Sequence, residues 1–598
     1  MSQPTFLMRG LAALLAATFA GIGGAQEASP GAQWLSYNNH LDGQRFSALK
    51  QITPANATQL GEVCRVQIDG PTSLHSDLIV ADGVIYTGTG SETVAIDATR
   101  CTLIWRHSYT PDDDRSSPST RGVAVMNGRL FRGTSDDRLI ALDAATGKLL
   151  WKTVIGSPAL GESSAAAPLA WGGVVYMGIS GSELGARGRV MAFDAQTGRE
   201  LWRFNTIPMG KEVGSETWER PGTAKTGGGG IWGAMTLDVS AGELFVPVGN
   251  PWPDIDKAYR PGANLFTDSI VVLDARTGAL KWWHQGTPED WMDLDMVAPP
   301  VLYRIDGARD YLVFGGKDGY VTAVDRDSHQ QLFRVPVTTI ERAPKMPTKE
   351  GMRMCPGYAG GVEWNGPAYD RLNHSLVTGA VDACFTVKLG AAAYAPGAVN
   401  FGGTVEPVGP TTGWITSIDS VTGAVRWKFH ADKPVVAGIT PTAGGGNLRG
   451  RSRRLPLCVR QQEWRAAGQG PDRRCPGRRS GDLRAGRAAI CGLCRRQHLP
   501  QCVRRAGPAQ CRDHGAQPQD RGCGERTGSG IAIRRSSVQP GVCRLSRTGG
   551  RDGARPQTQR GGRAAEPGRN DRVHQESAGT DAEDVSGSAH RPEHHRRH

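Results

Sequence analysis

The sequence predicts an all-β fold of the propeller type. An internal repeat recurs six times, 80 glycines and 15 tryptophans stand against 11 tyrosines, and apolar runs are short. At 598 residues the chain can hold one large repeat fold and an appendage.

Taken in chain order, residues 1–25 are expected to be a signal peptide. Arg9 precedes an apolar run from Leu11 to Ala20, and small residues lead to Gly23-Gly24-Ala25 ahead of Gln26. The run is too short to span a bilayer as a mature helix, and no other stretch is long and apolar enough. The expected protein is therefore periplasmic or secreted, not membrane-spanning, and meets an oxidising compartment where cysteines can pair.

The repeat follows. It reads small or apolar residue, apolar residue, Asp, three residues, Gly, three residues, Trp. Copies run from Asp97 to Trp105, Asp143 to Trp151, Asp194 to Trp202 and Asp274 to Trp282, with later ones from Asp325 to Phe333 and Asp419 to Trp427. The aspartate precedes the aromatic by eight residues every time, while Cys101 and His329 replace the glycine in two copies. The run before Asp is expected to be a strand and Asp-Ala-x-Thr-Gly a turn, with Gly supplying positive φ and Asp bonding its own backbone. The next strand then carries the Trp, which docks between neighbouring sheets. Neighbouring copies lie 46 to 51 residues apart, the size of a four-stranded blade; the longer gaps leave room for a site-bearing insertion.

These repeats resemble the tryptophan-docking motifs of the pyrroloquinoline-quinone (PQQ) dehydrogenases, the quinoprotein alcohol and glucose dehydrogenases. The resemblance starts at Trp34-Leu35-Ser36-Tyr37-Asn38-Asn39 and Phe46-Ser47-Ala48-Leu49, which look like that family's opening strand, and continues to about Thr442. It implies an eight-bladed propeller over residues 26–446 with PQQ at its axis. A flat quinone with three carboxylates needs a stacking surface, cationic and hydroxyl donors, a hard cation with oxygen ligands, and a base for the substrate hydroxyl.

Four segments match the family. Glu183, in Ser180-Gly181-Ser182-Glu183-Leu184-Gly185, resembles the glutamate that ligates calcium, and Asn250, in Val248-Gly249-Asn250-Pro251, the asparagine that supplies a second oxygen. Asp293, in Trp291-Met292-Asp293-Leu294-Asp295, resembles the catalytic aspartate and a further ligand. Trp232, in Gly229-Gly230-Ile231-Trp232-Gly233, resembles the tryptophan under the quinone. Arg121 resembles an arginine that pairs with a cofactor carboxylate, Lys317 the cation beside the quinone oxygens, and Ser163 and Ser164 are candidate carboxylate donors.

Asp293 and Asp295 alternate, so in a strand both would face one side, with either a metal between them or a shared proton. Some relatives carry an extra ligand at the Asp295 position and use a lanthanide; calcium is the first expectation. The chain also departs from the pattern. Ser116-Ser117 lies in a region where many alcohol-oxidising members have adjacent cysteines, and Glu363 stands where relatives often have an asparagine near the cofactor. Cys64 and Cys101 are one candidate pair, and Cys355 with Cys384 resembles a family disulfide.

From Asn447 to His598 the character changes. This segment has no Lys, Phe, Tyr or Met, is rich in Arg, and holds eight of the twelve cysteines, yet it keeps no helical or strand period. Such a tail is expected to be disordered. A basic nucleic-acid tail and a zinc module are both disfavoured, because Cys491-Gly492-Leu493-Cys494 has no second Cys-x-x-Cys in the tail. No nucleic-acid partner is expected. A frameshift explains more. Read one base later under suitable codons, 447–466 becomes Thr-Phe-Ala-Gly-Asp-Leu-Ala-Gly-Phe-Leu-Cys-Ala-Phe-Asp-Ser-Lys-Asn-Gly-Glu, another copy of the repeat. The same offset turns 489–498 into a family-like strand and 542–548 into Cys-Ala-Gly-Cys-His-Gly, a c-type haem attachment motif. The propeller is then incomplete in this chain, with sheet edges left open, and haem c belongs only to the unshifted product.

The expected function is PQQ-dependent oxidation of a small alcohol or sugar by hydride transfer, assisted by Ca²⁺ or a lanthanide, with electrons passed to a cytochrome c. The alternatives are a non-catalytic propeller scaffold and an inactive frameshifted enzyme fragment.

Overall fold

The computed structural model describes residues 33–68, 75–113, 119–305, 309–341, 346–449 and 457–460. The expected signal peptide, Ser116 and Ser117, and the tail beyond residue 460 lie outside the described residues.

The repeat becomes a series of antiparallel four-stranded sheets. The first consists of Ile79–Ala81, Val84–Gly88, Glu92–Asp97 and Leu103–Ser108; the next four span 124–154, 169–205, 236–285 and 301–336. A sixth sheet has five strands, two of them the long hairpin Ser375–Leu389 and Gly403–Asp419. The seventh has three: Ile439–Pro441, Gly446–Arg449 and Leu457–Arg460. Among the described residues there are thus seven sheets, one fewer than the eight blades the resemblance implies. First strands of neighbouring sheets approach one another and fourth strands are largely exposed, so the sheets radiate outward from their first strands.

The repeat residues act as expected, and the structure adds a reason for the glycine. In the first six sheets the strand before the turn ends on the repeat aspartate. Its Oδ1 accepts the N–H of Thr146, Thr197, Thr277 or Thr422 at 2.8 to 2.9 Å. The indoles of Trp105, Trp151 and Trp202 each donate to the alanine carbonyl that follows the next sheet's aspartate, Ala144, Ala195 and Ala275, at 2.9 to 3.2 Å. A Cβ on Gly147, Gly198 or Gly278 would lie 2.5 to 2.6 Å from the docked indole, so the glycine answers both to its positive φ and to the ring packed against it. Where His329 replaces it, also at positive φ, the imidazole stacks on Trp282 at 4.2 Å.

The opening segment departs from expectation. Trp34 to Leu49 makes isolated bridges rather than a strand, because its carbonyls are shared among several sheets. Trp34 pairs with Val80 of the first sheet, and the carbonyls of Leu41, Asp42 and Gln44 accept from Leu237, Leu302 and Tyr369 of the fourth, fifth and sixth. Ser47 N–H then donates to Pro441 of the seventh. Arg45 pairs with Asp77, just before the first sheet, at 3.3 Å and packs against Gly438, just before the seventh. The segment straps the first sheet to the last. Two disulfides, Cys64–Cys101 and Cys355–Cys384, join the pairs expected.

Candidate active site

In an antiparallel meander the second and fourth strands run the same way. The turns between second and third strands and the links from one sheet to the next therefore open on one rim. That rim carries every candidate residue. Glu183, Asn250 and Lys317 sit in turns between second and third strands of the third, fourth and fifth sheets; Arg121, Ser163, Ser164, Trp232, Asp293 and Asp295 sit in links between sheets; Glu363 sits in the sixth.

Local geometry aims these side chains. Glu183 lies in the short 3-10 turn Ser182–Leu184 between Gly181 and Gly185, both at positive φ. A Cβ at Gly181 would meet the Gly161 carbonyl at 2.0 Å, so only glycine lets the two loops close there. A Cβ on Gly249 would strike Asp295 Oδ1 at 2.2 Å, so this glycine admits the carboxylate to the site. Asp293 and Asp295 are not in a strand: their segment is irregular and Asp293 has φ +58°. A lysine joins the two carboxylates. Lys317 Nζ lies 3.0 Å from Asp293 Oδ2 and 2.6 Å from Asp295 Oδ2, all three groups being buried. Asp295 Oδ1 also accepts from the Asn250 backbone N–H at 2.9 Å and from Trp232 Nε1 at 3.3 Å.

Among the described residues, the oxygens without hydrogen-bond partners around this pair include Asn250 Oδ1, Asp293 Oδ1 and both oxygens of Asp254. Glu183, Asp254 and Asp293 each offer a carboxylate oxygen within 4.8 Å of the others. Burial, then Asp295, raises the Glu183 carboxyl above its ordinary range. Burial also raises Asp293, and its acidic neighbours add to that against the pull of Lys317. Burial works against the Lys317 charge, but Asp293 and Asp295 outweigh it and hold the ammonium well above its usual value. Carboxylates this close cannot all ionise unaided. A hard cation with oxygen ligands relieves them, so the donor set fits such an ion.

Beside the acids lies an aromatic and cationic cradle. The Arg121 guanidinium stands 5.0 Å from the Trp232 ring centre and 4.4 Å from that of Trp364; the two indoles meet edge to face at 6.2 Å. Lys317 Nζ is 5.5 Å from the Trp232 ring. A planar, polyanionic quinone suits these groups. Trp364 was not singled out in the sequence, although it follows Glu363 directly. The Ser164 hydroxyl donates to the Thr134 carbonyl at 2.5 Å. Ser163 pairs with Ser180 through its backbone, bracing the loop that leads to Glu183.

Glu363 is buried, and that burial pushes its carboxyl up to about 7 against Lys317 and Arg121, which pull it down. Protonated, it offers one donor and one acceptor, as an asparagine amide does. Between pH 4.5 and about 7 it is protonated in the fold and ionised in the unfolded chain, so stability falls as pH rises through that window. In the protein free of metal and quinone, Glu363→Gln is expected to abolish a loss of about 3 kcal/mol across this range. Thermal melts of both proteins at stepped pH check this; parallel curves would show that Glu363 does not titrate there.

A small cavity opens against Asp254 and Asp293, walled by Ile255, Met292, Tyr358, Val387, Phe401 and Val405. Val387 and Val405 come from the long hairpin of the sixth sheet, which the Cys355–Cys384 bridge ties to the strand Met352–Met354.

Known proteins resemble this chain. The family model for the PQQ glucose/ethanol/alcohol dehydrogenase β-propeller domain matches residues 34–345. A quinohemoprotein alcohol dehydrogenase of Pseudomonas putida is 36% identical over 350 residues, 54% of this chain and 50% of that one. The dehydrogenase subunit of a quinone alcohol dehydrogenase from Gluconacetobacter polyoxogenes is 30% identical over 475 residues, 69% of this chain and 64% of that one. Among solved structures, a europium-containing methanol dehydrogenase superposes with a TM-score of 0.67 at 25% identity, covering 73% of this chain and 84% of its own. The chain thus spans about half the length of the first of these relatives. The family match takes in the first five sheets and the whole acid cage, and the chain belongs to the PQQ-dependent glucose/ethanol/alcohol dehydrogenase β-propeller family.

Proposed function

We propose that this chain oxidises a small alcohol with an apolar body, using PQQ stacked on Trp232 and a hard cation, calcium or a lanthanide, held by Glu183, Asn250, Asp293 and Asp295. The observation that carries this reading is the buried acid cage opening onto an apolar cavity beside the indole cradle. Burying unpartnered carboxylates is costly, and a scaffold gains nothing by it. Arg121 and Lys317 would face the quinone's carboxylates and ring oxygens, with Glu363 beside them. When bound, the quinone supplies the hydride acceptor and the cation polarises its reactive carbonyl.

The protein's own part is acid–base and positional. Asp293 Oδ2 is tied to Lys317, which leaves Oδ1 to take the hydroxyl proton from an alcohol in the cavity. The walls exclude water and receive the apolar body, which favours an alcohol over a sugar. Electrons pass to a cytochrome c, the relatives named quinohemoproteins supporting a haem partner, and the setting is the periplasm. The segment after Gly446 is out of frame with a closing sheet and a haem domain.

The test is dye-linked oxidation by the full chain loaded with PQQ and either ion, over a series from ethanol to hexanol and with glucose. kcat/KM is expected to climb several-fold along the series and to stay lowest for glucose. Preference for glucose, or no turnover of any alcohol with quinone bound, would reject the reading.

A further inference from the structure

The loop after Asn250 carries an acid that no motif singles out. Asp254 is 1% exposed, and neither of its carboxylate oxygens has a hydrogen-bond partner. The nearest buried cation does not neutralise it through the side chain. Arg260 donates instead to the main-chain carbonyls of Pro253, Asp254 and Asp290 and to Asn264 Oδ1, at 2.5 to 3.3 Å. Arg260 thereby holds the loop backbone and leaves the Asp254 carboxylate turned toward Glu183 and Asp293, within 4.8 Å of both. Asp295 is placed otherwise. Lys317, the Asn250 N–H and the Trp232 indole already occupy its oxygens. Of the two aspartates near Glu183 and Asp293, Asp254 is the one with its oxygens still available.

We infer that Asp254 is a direct ligand of the metal in this chain, completing a cage with Glu183, Asn250 and Asp293, and that Asp295 is a positioning residue that sets Lys317, Trp232 and the Asn250 backbone. This rests on the metal-assisted reading above and puts Asp254 in the place that reading gave Asp295 in the ligand set.

The test is binding, not turnover. The full chain, free of metal and quinone, is titrated with Tb³⁺ by tryptophan-sensitised luminescence and with Ca²⁺ by competition, for the unsubstituted protein and for Asp254→Asn, Asp295→Asn and Glu183→Gln. Asp254→Asn is expected to weaken Tb³⁺ on the order of 100-fold, and Ca²⁺ less, narrowing the preference between them. The melting temperature of the metal-free protein should rise in Asp254→Asn, because the cost of burying an ionisable carboxyl is gone, while the rise on adding Tb³⁺ should shrink. A purely structural Asp254 would do the reverse in the metal-free melt. Unchanged Tb³⁺ affinity in Asp254→Asn, with affinity lost in Glu183→Gln, would overturn this inference and leave the metal-assisted reading standing. No binding by the unsubstituted chain would overturn both. Should Asp254→Asn fail to fold, Asp254→Ser is read in the same way.

Discussion

Asp293→Asn is expected to lower kcat for alcohol oxidation by roughly three orders of magnitude, within the range that positioned general bases contribute. The substitution keeps the shape and an oxygen facing the cage, and removes only the capacity to take a proton. Lys317 keeps Asp295 as a partner at 2.6 Å, so the ammonium is not stranded and the site is expected to stay assembled. The cradle of Trp232, Trp364 and Arg121 lies outside the change, so quinone uptake, followed by absorbance in the same sample, should survive. KM for alcohol should move little, because the apolar walls are untouched. The acidic limb of the pH–rate profile should also vanish with the titrating base. Turnover within tenfold of the unsubstituted protein, at equal quinone occupancy, would place the base elsewhere.

Much of this site was legible because its residues come in short contiguous motifs, each confined to one rim loop. Glu183, Asn250, Trp232 and Lys317 could be named from local pattern, and the meander's alternation of strand direction then brought them together. The repeat was equally readable, since Asp, Gly and the docked Trp act within one turn and the sheet beside it. What pattern could not show was orientation within irregular loops. The alternation of Asp293 and Asp295 suggested a common strand face, but a positive φ at Asp293 and the intrusion of Lys317 decide the geometry. Asp254 escaped notice because its direction depends on Arg260 anchoring carbonyls as far away as Asp290. The strap's apolar and aromatic residues look like those of a strand. Its hydrogen bonds are shared among sheets that lie hundreds of residues apart in sequence.

The largest effect is expected from deleting one base in codon 447. In the first six sheets the third repeat strand, or its long counterpart in the sixth, ends on the repeat aspartate. In the seventh, the strand Leu457–Arg460 pairs antiparallel with Gly446–Arg449, in the place where the other sheets put that strand. Read one base later, positions 457–460 become Cys-Ala-Phe-Asp, which sets an aspartate where Arg460 stands and repeats the Ala192-Phe193-Asp194 ending of the third sheet. In the sequence that offset yields a copy of the repeat, and in the fold its aspartate falls at the end of the seventh sheet's third strand. A restored frame supplies the turn and the outer strand that the seventh sheet lacks among the described residues, and covers an edge. The melting temperature is expected to rise by on the order of 10 °C, as several kcal/mol of added packing would produce. The product should also carry Cys-Ala-Gly-Cys-His, so expression in a host that matures c-type cytochromes should yield covalently bound haem, read from the alkaline pyridine spectrum. Equal melting temperatures and no haem would mean that the frame of this sequence is the working one. A restored chain that binds haem and melts higher would make the propeller and the cytochrome domain two parts of one electron path, with the quinone site on the rim as its entry.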